Sequence, residues 1–181
     1  MPLSHRHSEP VEFGAPIGTR VRVLTLLSLT IVPLAMLFNL GLRSWLHLPP
    51  KTLLPMVLAP TIALAILLPV GFFQRVLKYR LTATELEVLR PRRVNRFPLA
   101  QLETAEADPR AMEWSLKVIG NDGLGAITGR FRSRKLGAYQ ALVTDRDRAV
   151  VLRWPDRTLV VSPDRPHDFV DEVRLRAGLR R

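Results

Sequence analysis

The chain has 181 residues, 15 prolines, no cysteine and a net charge of +11 from 27 Lys and Arg against 16 Asp and Glu. That length supports one domain of ordinary size and somewhat more, and the missing cysteine excludes a disulfide framework, a Cys-based zinc site, an iron–sulfur cluster and a thiol nucleophile. The charge is unevenly spread: residues 1–80 hold eight basic and two acidic side chains, and residues 81–181 hold nineteen and fourteen.

Residues 1–22 read as an N-terminal cytoplasmic tail. Residues 23–42 carry no charge and are bounded by Arg20, Arg22 and Arg43; at 1.5 Å per residue such a helix reaches about 30 Å, the thickness of a hydrocarbon core. Gly41-Leu42-Arg43-Ser44-Trp45 follows, with no small-residue cleavage site, so the run reads as an uncleaved anchor. Residues 43–52 form an outer loop, and residues 53–73 are a second uncharged run of spanning length, bounded by Lys51 and Arg75. So short a loop returns the second helix antiparallel to the first and leaves both termini on one side. Arg6, Arg20, Arg22, Arg75, Lys78, Arg80, Arg90, Arg92 and Arg93 flank that side, against Arg43 and Lys51 in the loop. The positive-inside rule then predicts an integral protein of the cytoplasmic membrane with both termini in the cytoplasm. Trp45 and His47 suit the outer interfacial belt. Pro33, Pro55, Pro60 and Pro69 interrupt the helices, Asn39 is their one strongly polar side chain, and neither run contains an ionisable residue. A transport path normally needs one, so the hairpin reads as an anchor and an association surface.

Residues 74–181 read as a β-rich cytoplasmic domain. Residues 76–81 alternate basic with apolar, the period of a half-buried strand, and 86–89 follow a turn at 82–85. Further strands are predicted at 94–98, 102–107, 114–119, 126–132, 138–144, 149–154 and 158–162, separated by Pro-, Gly- and Asp-containing turns at 91–92, 108–109, 120–123, 134–137, 145–147 and 155–156. Short strands at this spacing predict an antiparallel sandwich or barrel. The period changes at 166–177, where Phe169, Val170, Val173 and Ala177 share one helical face; Asp164 is the expected cap and Gly178 the expected stop.

Gly120, Gly123, Gly129-Arg130-Phe131, Gly137-Ala138-Tyr139, Thr144, Val150-Val151-Leu152, Val160-Val161-Ser162-Pro163, Pro166 and Phe169 carry a family likeness. From about Tyr79 to Arg176 the chain resembles the bacterial pleckstrin-homology (PH) domains that follow a pair of membrane helices. The resemblance implies a membrane-anchored α+β protein: a two-helix transmembrane hairpin, then a PH-like β-sandwich or barrel capped by one C-terminal helix. The motifs specify fold more than activity. Some eukaryotic relatives of the fold bind phosphoinositides through bases around the first hairpin turn. Here that turn is Thr82-Ala83-Thr84-Glu85, with no base and one acid, so no binding residue is carried over.

Basic residues cluster at Arg90, Arg92, Arg93 and Arg96, and again at Arg130, Arg132, Arg134 and Lys135. In the second cluster alternation places Arg130, Arg132 and Arg134 opposite Phe131. Both clusters are candidate contacts for anionic lipid or a partner protein. Nucleic acid is not expected, because only Phe97 and Phe131 accompany the bases where stacking would need interleaved rings. No phosphate-cradling Gly-Lys-Ser/Thr loop and no Gly-x-Ser-x-Gly elbow occurs. The four His, at 5, 7, 47 and 167, are scattered. No catalytic residue, metal site or cofactor is expected. The chain therefore reads as a non-catalytic membrane-anchored interaction or scaffolding module that binds a partner or itself, with anionic lipid as an auxiliary contact. The alternative is an enzyme of envelope metabolism using acids such as Asp122, Asp145 and Asp147.

Overall fold

A computed structural model describes residues 9–47, 49, 51 and 53–179. His5, His7 and Arg6 lie outside the described residues, as do loop positions 48, 50 and 52 and residues 180 and 181. The first element is a strand, β1 (Val11–Gly14), in the stretch read from sequence as tail. Two long apolar helices follow, α1 (Thr19–Trp45, 27 residues) and α2 (Leu53–Phe73, 21 residues). The strands β2 (Lys78–Leu81), β3 (Glu85–Leu89), β4 (Val94–Pro98), β5 (Thr104–Ala107), β6 (Leu116–Asp122), β7 (Ile127–Ser133), β8 (Gly137–Val143), β9 (Val150–Arg153) and β10 (Thr158–Val161) then lead to a C-terminal helix, α3 (Pro166–Ala177). All nine strands expected after the helices are present, with ends shifted by up to a turn's width.

The strands form two sheets, a four-stranded one in the order β1-β2-β3-β4 and a six-stranded one in the order β5-β9-β10-β8-β7-β6. The antiparallel expectation holds for every pairing but one: β10 runs parallel to β8. After β8 the chain passes through a short 3-10 turn (Arg146–Arg148) and returns as β9, and the β9–β10 hairpin then folds β10 back between β9 and β8. β10 is thereby central and covered on both sides, which suits its continuous apolar run Leu159-Val160-Val161, all buried. One face of the six-stranded sheet, through Leu142, Val150, Leu152, Leu159 and Val161, packs against Tyr79, Leu81, Leu86 and Val88 of the smaller sheet and against Phe169 and Val173 of α3. Its other face, through Ile127, Phe131, Tyr139, Val151 and Val160, is covered by Ala111, Met112 and, from the start of α1, Val21.

The segments on either side of the helices are joined as neighbouring strands. β1 pairs antiparallel with β2, with Glu12 opposite Arg80 and Gly14 opposite Lys78. The register continues across the sheet as Glu12, Arg80, Glu87 and Arg96, one residue per strand with alternating sign. These four form a ladder of ion pairs at 2.7 Å, 3.5 Å and 3.0 Å, and Lys78 also reaches Glu12 at 2.7 Å. Hydrogen bonds from Lys78 and Arg80 hold the Glu12 carboxyl below its ordinary value. On the opposite side Phe13 is buried edge-on against Phe169, 5.1 Å between ring centres, and Tyr79 packs on the same ring at 6.2 Å. Three chain segments far apart in sequence thus share one aromatic cluster.

A buried polar network ties the two sheets. The Tyr79 hydroxyl donates to the Leu142 carbonyl at 2.8 Å and accepts from the Ser162 amide at 3.0 Å. The Ser162 hydroxyl oxygen accepts from the amides of Thr144 at 2.8 Å and Asp145 at 3.2 Å. Burial pushes the Tyr79 phenol up to about 12, against the lowering influence of Ser162 and Thr144.

The expected cap of α3 is corrected. Arg165 occupies the N-cap with no side-chain hydrogen bond, and Pro166 follows at the first turn. Asp164 lies one residue before the cap, its carboxylate against Gly14 and 4.0 Å from Arg165, its amide donating to the Gly14 carbonyl at 2.9 Å and its carbonyl accepting from Arg148. The other end is as expected: Gly178 is left-handed at φ 69°, and the Leu179 amide closes back on the Arg174 carbonyl.

Phe13→Ala should destabilise the protein by about 3–5 kcal/mol, as should Phe169→Ala, and a fragment from residue 74 onward, lacking β1 and Val21, should not unfold cooperatively; calorimetry of all three is the check. Because the folded state raises the Tyr79 pKa, the stability this phenol contributes is complete below about pH 10 and is lost as pH climbs through about 12. An ultraviolet titration should therefore find Tyr79 still neutral at about pH 10.5, where an unfolded tyrosine is mostly ionised.

Candidate functional site

The start of α1 and the end of α2 meet the β-domain at the turn between β6 and β7. The Thr25 hydroxyl accepts from the Gly125 amide at 3.0 Å, its own proton facing the Val21 carbonyl at 2.7 Å and the Gly123 carbonyl at 3.2 Å, and the Leu124 side chain lies against Gly71 of α2. A side chain at Gly125 would meet the Gly71 carbonyl at 2.2 Å, and its φ of 76° is already in the left-handed region, so glycine is required for this approach. The helices are therefore antiparallel, with one common end packed on the domain.

Gln74, the first residue after α2, anchors this junction. Its Oε1 accepts from the Thr128 hydroxyl at 2.8 Å and from the Arg90 guanidinium, which also donates to the Gln74 carbonyl at 3.2 Å. Beside it opens a cleft of about 310 Å³ between the two sheets, lined by Gln74, Arg90, Arg93, Thr128, Arg130 and Gln140 among others, with no acidic residue in its wall. Arg90 is 6% exposed. Burial, and after it the charge of Arg93, pulls Arg90 below the usual guanidinium range. Its Nε has no hydrogen-bond partner among the described residues. Two arginines whose charges disfavour each other, with a third across the cleft and no acid to offset them, make a site that an anion would stabilise.

A β-sandwich of two sheets closed by a C-terminal helix over Phe169 and Val173 is the architecture that the glycine and Ser-Pro motifs pointed to, and a family model described as a bacterial PH domain matches residues 77–177. The chain belongs to the bacterial PH-domain family. No curated protein and no solved structure matches it. Family membership fits a non-catalytic interaction module. The PH domain here differs from the matched segment in one respect: its smaller sheet also takes in β1, from before the two apolar helices.

The eight basic residues singled out in the sequence fall into separate settings in this PH domain. Arg90, Arg93 and Arg130, from both sequence clusters, share the cleft. Arg92 stacks on the Phe73 ring at the end of α2, 3.7 Å from its centre. Arg96 belongs to the ion-pair ladder through Glu87. Arg132, Arg134 and Lys135 surround Trp114 and Leu116 at the far end of β7, where Lys135 pairs with Asp108. Arg130 and Arg132 are exposed on the face opposite buried Phe131, as alternation requires, and Arg134 lies in the following turn.

Asp122 and Asp145, two of the three acids of the enzyme alternative, are engaged in ion pairs. Asp122 contacts Arg146 at 2.8 Å and Arg20 at 3.9 Å. Asp145 lies 3.5 Å from Arg148 and accepts from the Asp147 amide at 3.1 Å, an Asx turn at the start of the 3-10 segment. The β2–β3 turn is closed by the Thr82 amide on the Glu85 carbonyl at 2.9 Å and offers no base. Gln74, Thr128 and Gln140 escaped the sequence reading, because cross-strand neighbours cannot be paired before the sheet order is known. The available signal for Gln74 was a lone amide directly after an apolar run.

Proposed function

We propose that the chain is a membrane-anchored, non-catalytic PH module whose basic cleft takes an anionic phosphate-bearing lipid headgroup at the inner surface of the cytoplasmic membrane. Residues 23–42 and 53–73 span the bilayer, residues 43–52 form the outer loop, and both termini lie in the cytoplasm. The exposed apolar side chains of the two helices support this, since Leu26, Ile31, Leu34, Leu37 and Phe38 of α1 and Leu54, Ile62, Ile66 and Phe72 of α2 leave about half or more of their surface outside the protein. Lipid is the solvent that covers such a surface without cost. The side of the helix pair that meets the domain carries Arg20, Arg22, Arg75, Arg90, Arg92 and Arg93, which orients it toward the cytoplasm.

The observation that carries the headgroup reading is the convergence of Arg90, Arg93 and Arg130 beside Gln74, next to the helix end where phosphates of the inner leaflet would lie. Each base near an anionic surface contributes about 1 kcal/mol. Anchored in this way, the PH domain is held against the leaflet in one orientation, which presents its remaining surfaces to a partner.

The test uses the full chain in a neutral detergent with short-chain, water-soluble lipids. Dioctanoyl phosphatidylglycerol should raise the melting temperature where dioctanoyl phosphatidylcholine does not, and the shift should shrink with added salt and disappear in Arg93→Ser and Arg130→Ser. Arg132→Ser, outside the cleft, should keep it. Inorganic phosphate in a parallel arm separates a lipid site from a free-phosphate site. Equal shifts from both lipids, or a shift that survives Arg93→Ser with Arg130→Ser, would remove the headgroup from the account.

A further inference from the structure

The six-stranded sheet ends in an edge that its own chain leaves open. β6 pairs with β7 alone, and no strand lies on its outer side among the described residues. Its residues from Leu116 to Gly120 are exposed on both faces, including Leu116 at 75%, Val118 at 67% and Ile119 at 66%; Trp114 just before it is 95% exposed. Four large apolar side chains in six residues, along a row of unpaired main-chain groups, make a template for strand addition. The opposite edge of the same sheet, β5, differs: α3 lies along it, and Arg174 donates to the Ala105 carbonyl at 3.0 Å.

Three occupants compete for this edge, and the local chemistry separates them. Lipid tails would cover the side chains but leave every outward N–H and C=O of β6 unpaired, which hydrocarbon does not tolerate. A second copy paired edge to edge would offer Lys117 and no acid from its own 116–120 stretch, and so would leave Arg132 and Arg134 unneutralised in both copies. An extended acidic segment satisfies both demands. Leu116 and Ile119 share a face with Arg132 and Arg130, their cross-strand partners, and neither Arg132 nor Arg134 forms an ion pair among the described residues. Beside them a groove of about 670 Å³ has Trp114 and Leu116 as its apolar wall and Arg110, Arg134 and Lys135 on its rim, with one acid, Glu113, 3.9 Å from Arg110. The register shift between Lys117 and Ile119 interrupts the ladder at Val118, an irregularity of the kind that limits open-ended growth at a sheet edge.

We infer that β6 is the docking edge for a partner protein, which adds a short extended segment of alternating apolar and acidic residues as a seventh strand. Its main chain pairs with β6, an apolar side chain seats against Trp114 and Leu116, and its carboxylates meet Arg132 and Arg134. This names the partner chemistry of the interaction module proposed above; the edge shares Ile119 and Gly120 with the basic cleft, but the charges it uses, Arg132 and Arg134, lie outside it.

The experiment selects from a random nonapeptide display library against the full chain in neutral phosphatidylcholine nanodiscs, so that the outcome is independent of headgroup binding. Recovered peptides should alternate apolar with Asp or Glu, slow amide exchange at residues 116–120, and lose binding at least tenfold to Arg132→Glu with Arg134→Glu and when proline replaces their central residues. Trp114→Ser, at a side chain that the fold does not bury, should weaken binding without lowering the melting temperature. Recovery of no such peptide, protection elsewhere on the domain, or binding indifferent to the Arg132→Glu and Arg134→Glu pair would overturn the inference. So would protection of 116–120 without peptide, whether it appears in anionic nanodiscs, which marks lipid, or rises with protein concentration, which marks a second copy.

Discussion

The pairing of β1 with β2 is the constraint on which the rest depends. These strands are neighbours in one sheet, yet the two long apolar helices lie between them in the chain. A sheet spacing of about 4.8 Å therefore fixes both ends of the helical pair at one place on the domain, which makes the pair an antiparallel hairpin whatever surrounds it. The domain is completed only when the chain has gone out along α1 and back along α2. Helices and sandwich are thus a single unit: Phe13 enters the aromatic cluster of α3, Val21 covers the second face of the large sheet, and Asp164 fastens the end of β1.

That constraint also accounts for the basic cleft. The turn at Gly123 and Gly125 seats against Thr25 and Gly71, which brings Gln74 to Thr128 and so places the β3–β4 arginines opposite Arg130. No residue in this chain of contacts is unusual by itself. Their convergence is a consequence of fastening a hairpin to a sandwich at a glycine turn, and it leaves positive charge at the mouth of the helices. The β6 edge lies on the same β6–β7 hairpin, whose turn is held by α1 and α2. A segment docked on that edge would be held in fixed relation to the helices.

Much of the architecture was legible because local pattern and tertiary environment agree. The uncharged run at 53–73 has the bounds of α2, Pro166 to Ala177 has the bounds of α3, and Val94–Pro98 is strand β4 as read. The strand Val11–Gly14 was not legible: four residues with one buried side chain, Phe13, carry no periodicity to detect, and their partner lies more than sixty residues away. The parallel β8–β10 pairing was hidden for a similar reason, since strand order is set by a crossover and not by composition. Of the site, the arginines were visible as two runs; that Arg90 and Arg93 would meet Arg130 while Arg96 joined the ladder depends on register across two sheets.

The central claim is that residues on both sides of the helical hairpin build one sheet. The chain contains no cysteine, so Glu12→Cys with Arg80→Cys, opposite each other on β1 and β2, gives a single reactive pair in the full-length protein in membranes. A protease site placed between Pro49 and Lys51 then cuts the connection between the helices. After treatment with a short bismaleimide and cleavage, the account predicts that the two fragments migrate together under denaturing conditions, and that either single-cysteine variant releases them. Separation of the fragments from the double variant would contradict it.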